Sequence, residues 1–469
     1  MSELLSNLPE ELSRGFNEPD WLRQFRAKSV EMYRVLPTEP SQLYIRHHEA
    51  PEISEELLLK IPEGLDGGVE IPREFKALTE DKEEPVVVDV DGSPAYVNLP
   101  KELERRGVRL LTLHQALKEV PEKMKEIFGS KLVGYESSKY AALVNGLFTT
   151  GYVIYIPDGV EVDRVFRVLW VVSKGGKAAL GQVMVLAGVN SRLSVIEEYY
   201  GPGEEGGEGL LGVVNELYLE NGAGVRYAAL QNVGENINFI AERCVETGRD
   251  SSVTWVGSLI GGKVSKVRVD SRMEGDGSSV NDLEIIFGGG EQRFDLNANL
   301  IHRGTGTQGR VLAKGVVKDR ARSIFKGIIG IEQQAKNTNA YLAEHAMILS
   351  PEARAYAIPG LEILSNDVKA THSASVAQID NEQLYYLTTR GISEQEARKM
   401  ITMGFFEPVV SEIDAPEVRW GVRYLLEKKW LPKQEAEKLK PEDIVDLYVE
   451  PEEAGKPIED IFGRHYKYR

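Results

Sequence analysis

Histidine and cysteine are the side chains of this sequence best suited to bind a metal, and both are scarce. The 469 residues include seven histidines and one cysteine, Cys244. A single thiol excludes internal disulfides and a metal site built from this chain's own thiolates. Cys244 follows Arg243, whose charge predicts a lowered thiol pKa, although a buried thiol in a strand behaves as a small hydrophobe. His372 stands among small residues, and a neutral imidazole is a good ligand for iron, although a purely structural histidine fits the same pattern.

Motifs of common catalytic sites are missing from the sequence. It contains no G-x-x-x-x-G-K-[ST] phosphate loop, no G-x-S-x-G and no H-E-x-x-H. A G-x-G-x-x-G motif occurs at Gly304, Gly306 and Gly309. A dinucleotide site needs a helix after this motif, whereas the strand-like run Arg310-Val-Leu-Ala-Lys-Gly-Val-Val follows here. We therefore interpret these glycines as a turn between strands.

Charge and hydropathy narrow the class of protein. The chain has 56 Lys and Arg against 73 Asp and Glu, for a formal net charge of −17, which counts against a nucleic-acid-binding surface. The N-terminus lacks the basic and apolar segments of a signal peptide. No apolar run approaches the roughly 18 residues of a membrane span. We expect a cytoplasmic protein that binds neither nucleic acid nor membrane.

The elements around these residues change character along the chain. Residues 1–150 mix helices and strands, with a helix from Trp21 to Leu36 and another from Thr112 that is broken at Pro121. After Val376 the pattern is helical again, beginning with a capping box at Ser393. Residues beyond Val410 are highly charged, so we expect a peripheral tail.

Residues 151–376 form a series of short β-rich runs. Turn signals recur about every 28 residues, at Asn221-Gly222, Gly248, Gly275 to Gly277 and Gly304 to Gly306. This period, without helices between the strands, is typical of the coils of a β-solenoid. A large antiparallel sandwich also gives regular strands and turns, so the pattern alone leaves both folds open.

The stretch from Ala340 to Val410 resembles the SufB/SufD family of iron–sulfur cluster assembly scaffolds. The segments that carry the resemblance are Leu349-Ser-Pro-Glu-Ala353, Pro359-Gly-Leu-Glu-Ile363, Asn366-Asp-Val-Lys-Ala-Thr-His372, Ile379-Asp-Asn-Glu-Gln-Leu-Tyr-Tyr-Leu387, Arg390-Gly-Ile-Ser-Glu-Gln-Glu-Ala397 and Gly404-Phe405. Upstream agreement comes from Glu18-Pro-Asp-Trp-Leu-Arg-Gln-Phe-Arg26, Leu143-Val-Asn-Gly-Leu-Phe148, Pro157-Asp-Gly159 and Leu300-Ile-His302. The resemblance extends over about residues 15–410.

The resemblance implies a mainly β fold: a right-handed parallel β-helix over residues 151–376, between the N-terminal region 1–150 and a C-terminal helical region 377–469. It also implies a non-enzymatic subunit of a Suf complex. Such a subunit pairs with a SufB-type subunit, binds a SufC-type ABC ATPase through its C-terminal helices, and shares a transient iron–sulfur cluster at the subunit interface. A bound flavin is a further cofactor that the resemblance raises.

The segments around Ala353 and His372 that carry the resemblance also indicate the type of subunit. SufB-type chains have a cysteine six residues before the family's proline and a glutamate after its histidine, and here Ala353 and Ser373 stand there. His372 matches the histidine that SufD-type subunits contribute, so the resemblance implies a SufD-like chain with His372 as the cluster or iron ligand and Cys244 as a weak thiol candidate. One alternative is a homo-oligomeric scaffold in which two copies each offer His372. A remote alternative is a carbohydrate-active β-helix enzyme, which would need two carboxylates across the scissile bond.

The helix that begins at Ser393 is the candidate docking element for the ATPase. Its apolar and methionine side chains suit a contact between a helix and a groove. They are equally suited to packing against the last coil of the solenoid. The candidate residues are Ala397, Met400, Ile401, Met403, Phe405 and Phe406.

Overall fold

A computed structural model describes residues 3–61, 69–80, 82–129, 131–201, 206–413 and 415–445. The strands in these ranges are β1 Val86–Val90, β2 Ser93–Asn98, β3 Arg109–Thr112, β4 Thr150–Ile156, β5 Glu161–Val171, β6 Ala178–Ala187, β7 Arg192–Tyr200, β8 Gly209–Leu219, β9 Gly224–Asn232, β10 Ile237–Thr247, β11 Ser252–Leu259, β12 Val264–Met273, β13 Ser279–Gly288, β14 Arg293–His302, β15 Gln308–Val317, β16 Arg322–Ile331, β17 Thr338–Ile348, β18 Arg354–Ile363 and β19 Val368–Gln378.

Helices lie on both sides of this strand series in the sequence. They are α1 Glu3–Gly15, α2 Asp20–Val35, α3 Glu55–Leu58, a 3₁₀ helix at Arg73–Thr79, α4 Lys101–Arg105, α5 Leu113–Glu119, α6 Pro121–Gly129, α7 Lys139–Leu147, α8 Asn381–Thr389, α9 Glu394–Val410, α10 Pro416–Trp430, α11 Lys433–Ala436 and α12 Pro441–Val445. No helix within the described ranges is long and apolar enough to cross a membrane.

Successive strands from β4 to β19 alternate between two sheets. Sheet A has the order β19-β17-β15-β13-β11-β9-β7-β5-β1-β2, and sheet B has the order β18-β16-β14-β12-β10-β8-β6-β4-β3. Pairing along the series is parallel, and only β1 with β2 and β3 with β4 pair antiparallel. The chain therefore winds into a parallel β-solenoid of about eight coils. The predicted solenoid is confirmed, and the antiparallel sandwich is wrong.

Tight corners explain the periodic turn signals. Gly222, Gly277 and Gly306 have φ values of +71°, +70° and +66°, a backbone conformation that side chains with a Cβ atom rarely adopt. The corners stack because each coil repeats the same bend. Strand β15 begins at Gln308, two residues after Gly306, so the G-x-G-x-x-G motif at Gly304 is a solenoid turn that leads into a strand, as predicted.

The N-terminal region packs on the outer face of sheet B. Side chains of α7, such as Leu143, contact outward residues of the strands, such as Ile240. The segment Glu18 to Arg26 is fixed by a buried ion pair in which Arg26 Nη2 lies 2.7 Å from Glu18 Oε1. Burial alone would raise the pKa of Glu18, but Arg26 and His114 beside it hold that pKa at about 2. This pair anchors α2 beside the start of the solenoid.

The C-terminal helices cover the outer face of sheet A. Phe406 of α9 and Trp420 of α10 are fully buried in one apolar cluster with Leu283 and Ile285 of β13. The expectation that everything beyond Val410 is peripheral is wrong for α10, because its apolar side shields sheet A from water. The rest of the charged tail, residues 446–469, lies outside the described residues.

Candidate functional site

The last coil of the solenoid has no further strand stacked on it among the described residues. Strands β18 and β19 are the outermost strands of their sheets, and each pairs with one neighbour. Large apolar side chains are exposed on and beside them, namely Tyr356, Leu361, Ile363, Leu364 and Val376. Edge strands of this kind present unpaired N–H and C=O groups to another chain. We call this region, residues 354–378, the open end.

His372 lies at the open end on the inward side of β19. Ala370, two residues earlier, packs against the interior core, and alternate side chains of a strand share a face. His372 pairs in register with Leu342 of β17. Its side chain is nevertheless exposed, because the described part of the chain places no further coil over it. The imidazole is therefore placed where a second chain at the open end can contact it.

Glu344 is a residue of this region that the sequence analysis missed. It lies on β17, with Leu342 and Ala346 of the interior core at the neighbouring inward positions. It is 2% exposed, and burial raises the pKa of its carboxyl to about 8. An acidic residue at an inward position of an otherwise apolar strand was the available signal, but it requires the strand's orientation to be known.

Cys244 does not reach the open end. It lies on the outer side of β10, 1% exposed, beneath the N-terminal region. Four strand steps of about 4.8 Å separate β10 from β18, or roughly 19 Å along the solenoid. Burial raises the pKa of the thiol well above its ordinary value. The predicted lowering by Arg243 is wrong, because neighbouring residues of a strand point to opposite faces, and the Arg243 side chain enters the interior.

The donor atoms at the open end are thus oxygen and nitrogen, without sulfur. Across the described parts of the chain, no three His, Cys, Asp or Glu side chains converge into a set that could hold a metal ion. Iron–sulfur clusters are held mainly by cysteine thiolates. At the open end, one copy of this chain has an exposed imidazole, whereas its single thiol is buried elsewhere.

A second group of buried polar side chains fills the interior of the middle coils. Glu197 accepts a hydrogen bond from the Tyr227 hydroxyl at 2.6 Å, and Arg243 Nη1 lies 3.5 Å from Glu284 Oε1. A Cβ atom at Gly257 would lie 1.8 Å from Glu284 Oε2, so this glycine leaves the space that the carboxyl occupies. These groups are buried inside the solenoid.

The predicted docking residues divide between the inside and the outside of the C-terminal region. Ala397, Met403 and Phe406 are buried in this chain's own core, while Ile401 and Phe405 are half-buried. Met400 is 47% exposed, and α8 beside it exposes Tyr385 and Tyr386. The exposed candidate surface is therefore formed by the outer sides of α8 and α9. We call Tyr385, Tyr386 and Met400 the α8–α9 patch.

Comparison with known proteins agrees with this architecture. The family model described as "SUF system FeS cluster assembly, SufBD core domain" matches residues 170–405, half of the chain. The iron–sulfur cluster assembly protein SufD of Bacillus subtilis (strain 168) is 29% identical over 421 residues, which cover 89% of this chain and 96% of that protein.

A second relative is an iron–sulfur cluster assembly SufBD family protein of Staphylococcus aureus (strain MRSA252). It is 28% identical over 427 residues, which cover 87% of this chain and 90% of the relative. The matched segment includes nearly all the solenoid coils and most of α9. The chain belongs to the SufBD family of iron–sulfur cluster assembly proteins.

Proposed function

We propose that this chain is a SufD-like, non-catalytic subunit that assembles with a SufB-type subunit through the open end of its solenoid. The observation that carries the proposal is the combination of an uncovered last coil with an inward imidazole, His372, and no accessible thiol. The cluster is the product of the complex rather than a resident cofactor of this chain. Its assembly at the shared interface would take place in the cytoplasm.

The shape and composition of the open end support pairing with another chain. The unpaired backbone groups of β18 and β19 can extend both sheets across an interface. Leu361 and Val376, 38% and 42% exposed, would lose their contact with water in the same event. Burial of apolar side chains is the main favourable term in such association.

Ligand chemistry favours a SufB-type partner over a second copy of this chain. Two copies would bring two His372 imidazoles to the interface, but their Cys244 thiols would stay buried beneath the N-terminal regions. A cysteine-bearing partner supplies the thiolates that a cluster requires. Homo-oligomeric assembly is the alternative outcome of the tests below.

We also place the SufC-type ATPase at the α8–α9 patch. The inner sides of these two helices pack on each other through Leu384 and Ala397, which leaves their outer sides without a cover in the described structure. Exposed tyrosines and methionines are adaptable contact residues for a groove on a partner. The patch lies directly after β19 in the chain, so movement of a bound ATPase would be transmitted to the open end.

Two charge substitutions separate these contacts. Leu361→Glu should abolish co-purification with the SufB-type subunit and leave ATPase binding unchanged, whereas Met400→Glu should do the reverse. Val120→Glu, at an exposed apolar residue of the N-terminal region, should leave both intact. The measurement is the composition and mass of the purified complex by light scattering. Unchanged pairing of Leu361→Glu would move the interface away from the open end, and a stable dimer of this chain alone would favour the homo-oligomer.

A further inference from the structure

A groove of about 550 Å³ lies on the outer face of sheet B, beside the open end. One wall is formed by residues of the segment 39–49, which we call the strap. Outward side chains of β14 and β16, such as Ile328, form its floor. Glu362 and Leu364 line it on the side of the open end. The groove is therefore continuous with the surface proposed for subunit pairing.

The strap is fixed on sheet B by buried ion pairs. Lys326 Nζ lies 2.8 Å from Glu39 Oε2 and 2.7 Å from Asp295 Oδ1, and all three side chains are buried. At the far end of the strap, the backbone N–H of Glu49 donates to Asp295 Oδ2 at 2.8 Å. Separating buried charges from their partners is strongly unfavourable. The groove is therefore formed before a ligand binds.

The groove has more negative than positive charge. Arg268 lines it but is already paired with Asp270, at 2.9 Å. Glu332 and Glu362 also line it, and the described residues form no ion pair with either carboxylate. Glu332 follows β16 and Glu362 lies near the end of β18, so the two carboxylates come from adjacent strands. A cationic ligand is therefore favoured at this side of the groove.

The Tyr44 hydroxyl gives a second, independent indication of a ligand. Tyr44 lines the groove, is 1% exposed, and its hydroxyl has no hydrogen-bond acceptor among the described residues. The Gly327 N–H approaches this oxygen but cannot accept its proton. A buried O–H group without an acceptor is unfavourable. A peptide segment satisfies both requirements, because its backbone C=O accepts from Tyr44 and a Lys or Arg side chain pairs with the carboxylates.

Residues 464–469 of the chain have this chemistry. They read Arg-His-Tyr-Lys-Tyr-Arg, with three cationic side chains, two tyrosines and no acidic residue. They lie outside the described residues, and the preceding helix α12 ends at Val445 on the outer side of sheet A, where Ile444 is buried. The 18 residues between Val445 and Arg464 span at most about 60 Å. This is long enough to pass around the solenoid, because stacked sheets lie about 10 Å apart.

We infer that residues 464–469 bind in the groove between the strap and sheet B of their own chain. Their cationic side chains pair with Glu332 and Glu362, and a backbone C=O accepts the hydrogen bond of Tyr44. The bound segment covers Leu364, which is 67% exposed, and adds a basic rim to the open end. A partner subunit at the open end would then contact the segment as well as the last coil. The binding itself occurs within one chain and does not depend on that partner.

The test is photo-cross-linking of the full chain. The photoreactive analogue p-benzoylphenylalanine takes the place of Tyr466, and mass spectrometry of the irradiated monomer maps its cross-links. The expected products join position 466 to the strap or to β14, β16 or β18. The double variant Glu332→Gln/Glu362→Gln should lower their yield at least about fivefold, because two ion pairs are lost. Tyr44→Phe should lower it by a smaller factor, about twofold.

Glu119→Gln/Glu122→Gln is the matched control, because it removes the same charge from exposed positions of the N-terminal region and should leave the yield unchanged. Glutamine keeps the size of glutamate, so the circular dichroism of both double variants should match wild type. Cross-links from position 466 to other surfaces, or equal yields from Glu332→Gln/Glu362→Gln and wild type, would overturn the inference. Cross-links that join two copies of the chain would overturn binding within one chain and assign the groove to a second copy.

Discussion

The two ends of the solenoid differ in whether additional strands extend the sheets beyond the coils. At the first coil, β5 pairs with β1, β1 pairs with β2, and β3 pairs with β4, so additional strands extend both sheets. The 3₁₀ helix then covers the outer side of β1 with Phe75. At the last coil, β18 and β19 have no such additions among the described residues. In the proposed complex, the SufB-type partner would take the place of such strands at the last coil.

The buried carboxyls near the two ends show the same contrast. Asp89, at the capped end, accepts hydrogen bonds from the Tyr152 hydroxyl at 2.7 Å and from the Gly92 N–H at 3.0 Å. Glu344, near the open end, has an oxygen, Oε2, without a hydrogen-bond partner among the described residues. The polar group of the capped end is satisfied by two donors within the chain, whereas that near the open end is only partly satisfied by the described residues.

The largest difference between the ends should appear when a charge is added to each. Val88 of β1 is fully buried, so Val88→Asp should lower the free energy of unfolding by about 4 kcal/mol or more. Val376→Asp, on the open end, should change it by less than about 0.5 kcal/mol while disrupting partner binding. Chemical denaturation of both variants measures this, and equal losses would show that the open end is part of the folded core.

Asp89 should make stability depend on pH. Burial raises the pKa of this carboxyl to about 7, despite the hydrogen bonds from Tyr152, Thr150 and Gly92 that favour its charged form. The folded chain therefore holds a proton that the unfolded chain releases. The contribution of this carboxyl to the free energy of unfolding is complete below pH about 4 and is lost as pH rises through about 7. Relative to that of Asp89→Asn, the free energy of unfolding of the wild type should fall by roughly 2–4 kcal/mol between pH 4 and 7.5. Parallel stability curves for the two proteins would contradict this.

A smaller effect is expected when single hydrogen-bonding groups are changed. Tyr152→Phe leaves an oxygen of Asp89 without its donor and should cost about 1–2 kcal/mol. Glu344→Gln removes no hydrogen bond to Oε2 and should change stability by less than about 0.5 kcal/mol. Thermal unfolding of both variants gives the comparison, and a large loss for Glu344→Gln would assign Glu344 a structural role.

Local patterns predicted the solenoid well because its coils repeat. Asn221-Gly222 and Gly275 to Gly277 mark corners in which backbone conformation restricts the residue type, so the period is visible in the sequence. The helix break at Pro121 is also local, and α5 ends before it while α6 begins with it. Family resemblance then decided between solenoid and sandwich, which periodicity had left open.

The missed features depend on which face of an element a residue occupies. Arg243 and Cys244 are adjacent in the chain but lie on opposite sides of β10, so the expected effect on the thiol pKa does not arise. Trp420 lies in a charged segment, and its burial follows from the docking of α10 on sheet A. Glu344 becomes informative only when β17 is known to be the strand next to the open end.

The central claim is most directly tested by cluster loading of the purified complex with variants of His372. Anaerobic reconstitution with iron and sulfide, followed by desalting, gives the cluster per complex from its visible absorption. His372→Ala should reduce it at least about tenfold with a stability loss of only about 1 kcal/mol. His372→Cys should restore part of the loading, and His372→Gln should not.

His345→Ala is the control, since His345 lies on the adjacent strand with its Nδ1 2.7 Å from the Ser375 hydroxyl. A complex with this variant should load as much cluster as wild type. Equal loading of His372→Ala and wild type would contradict a ligand role for His372.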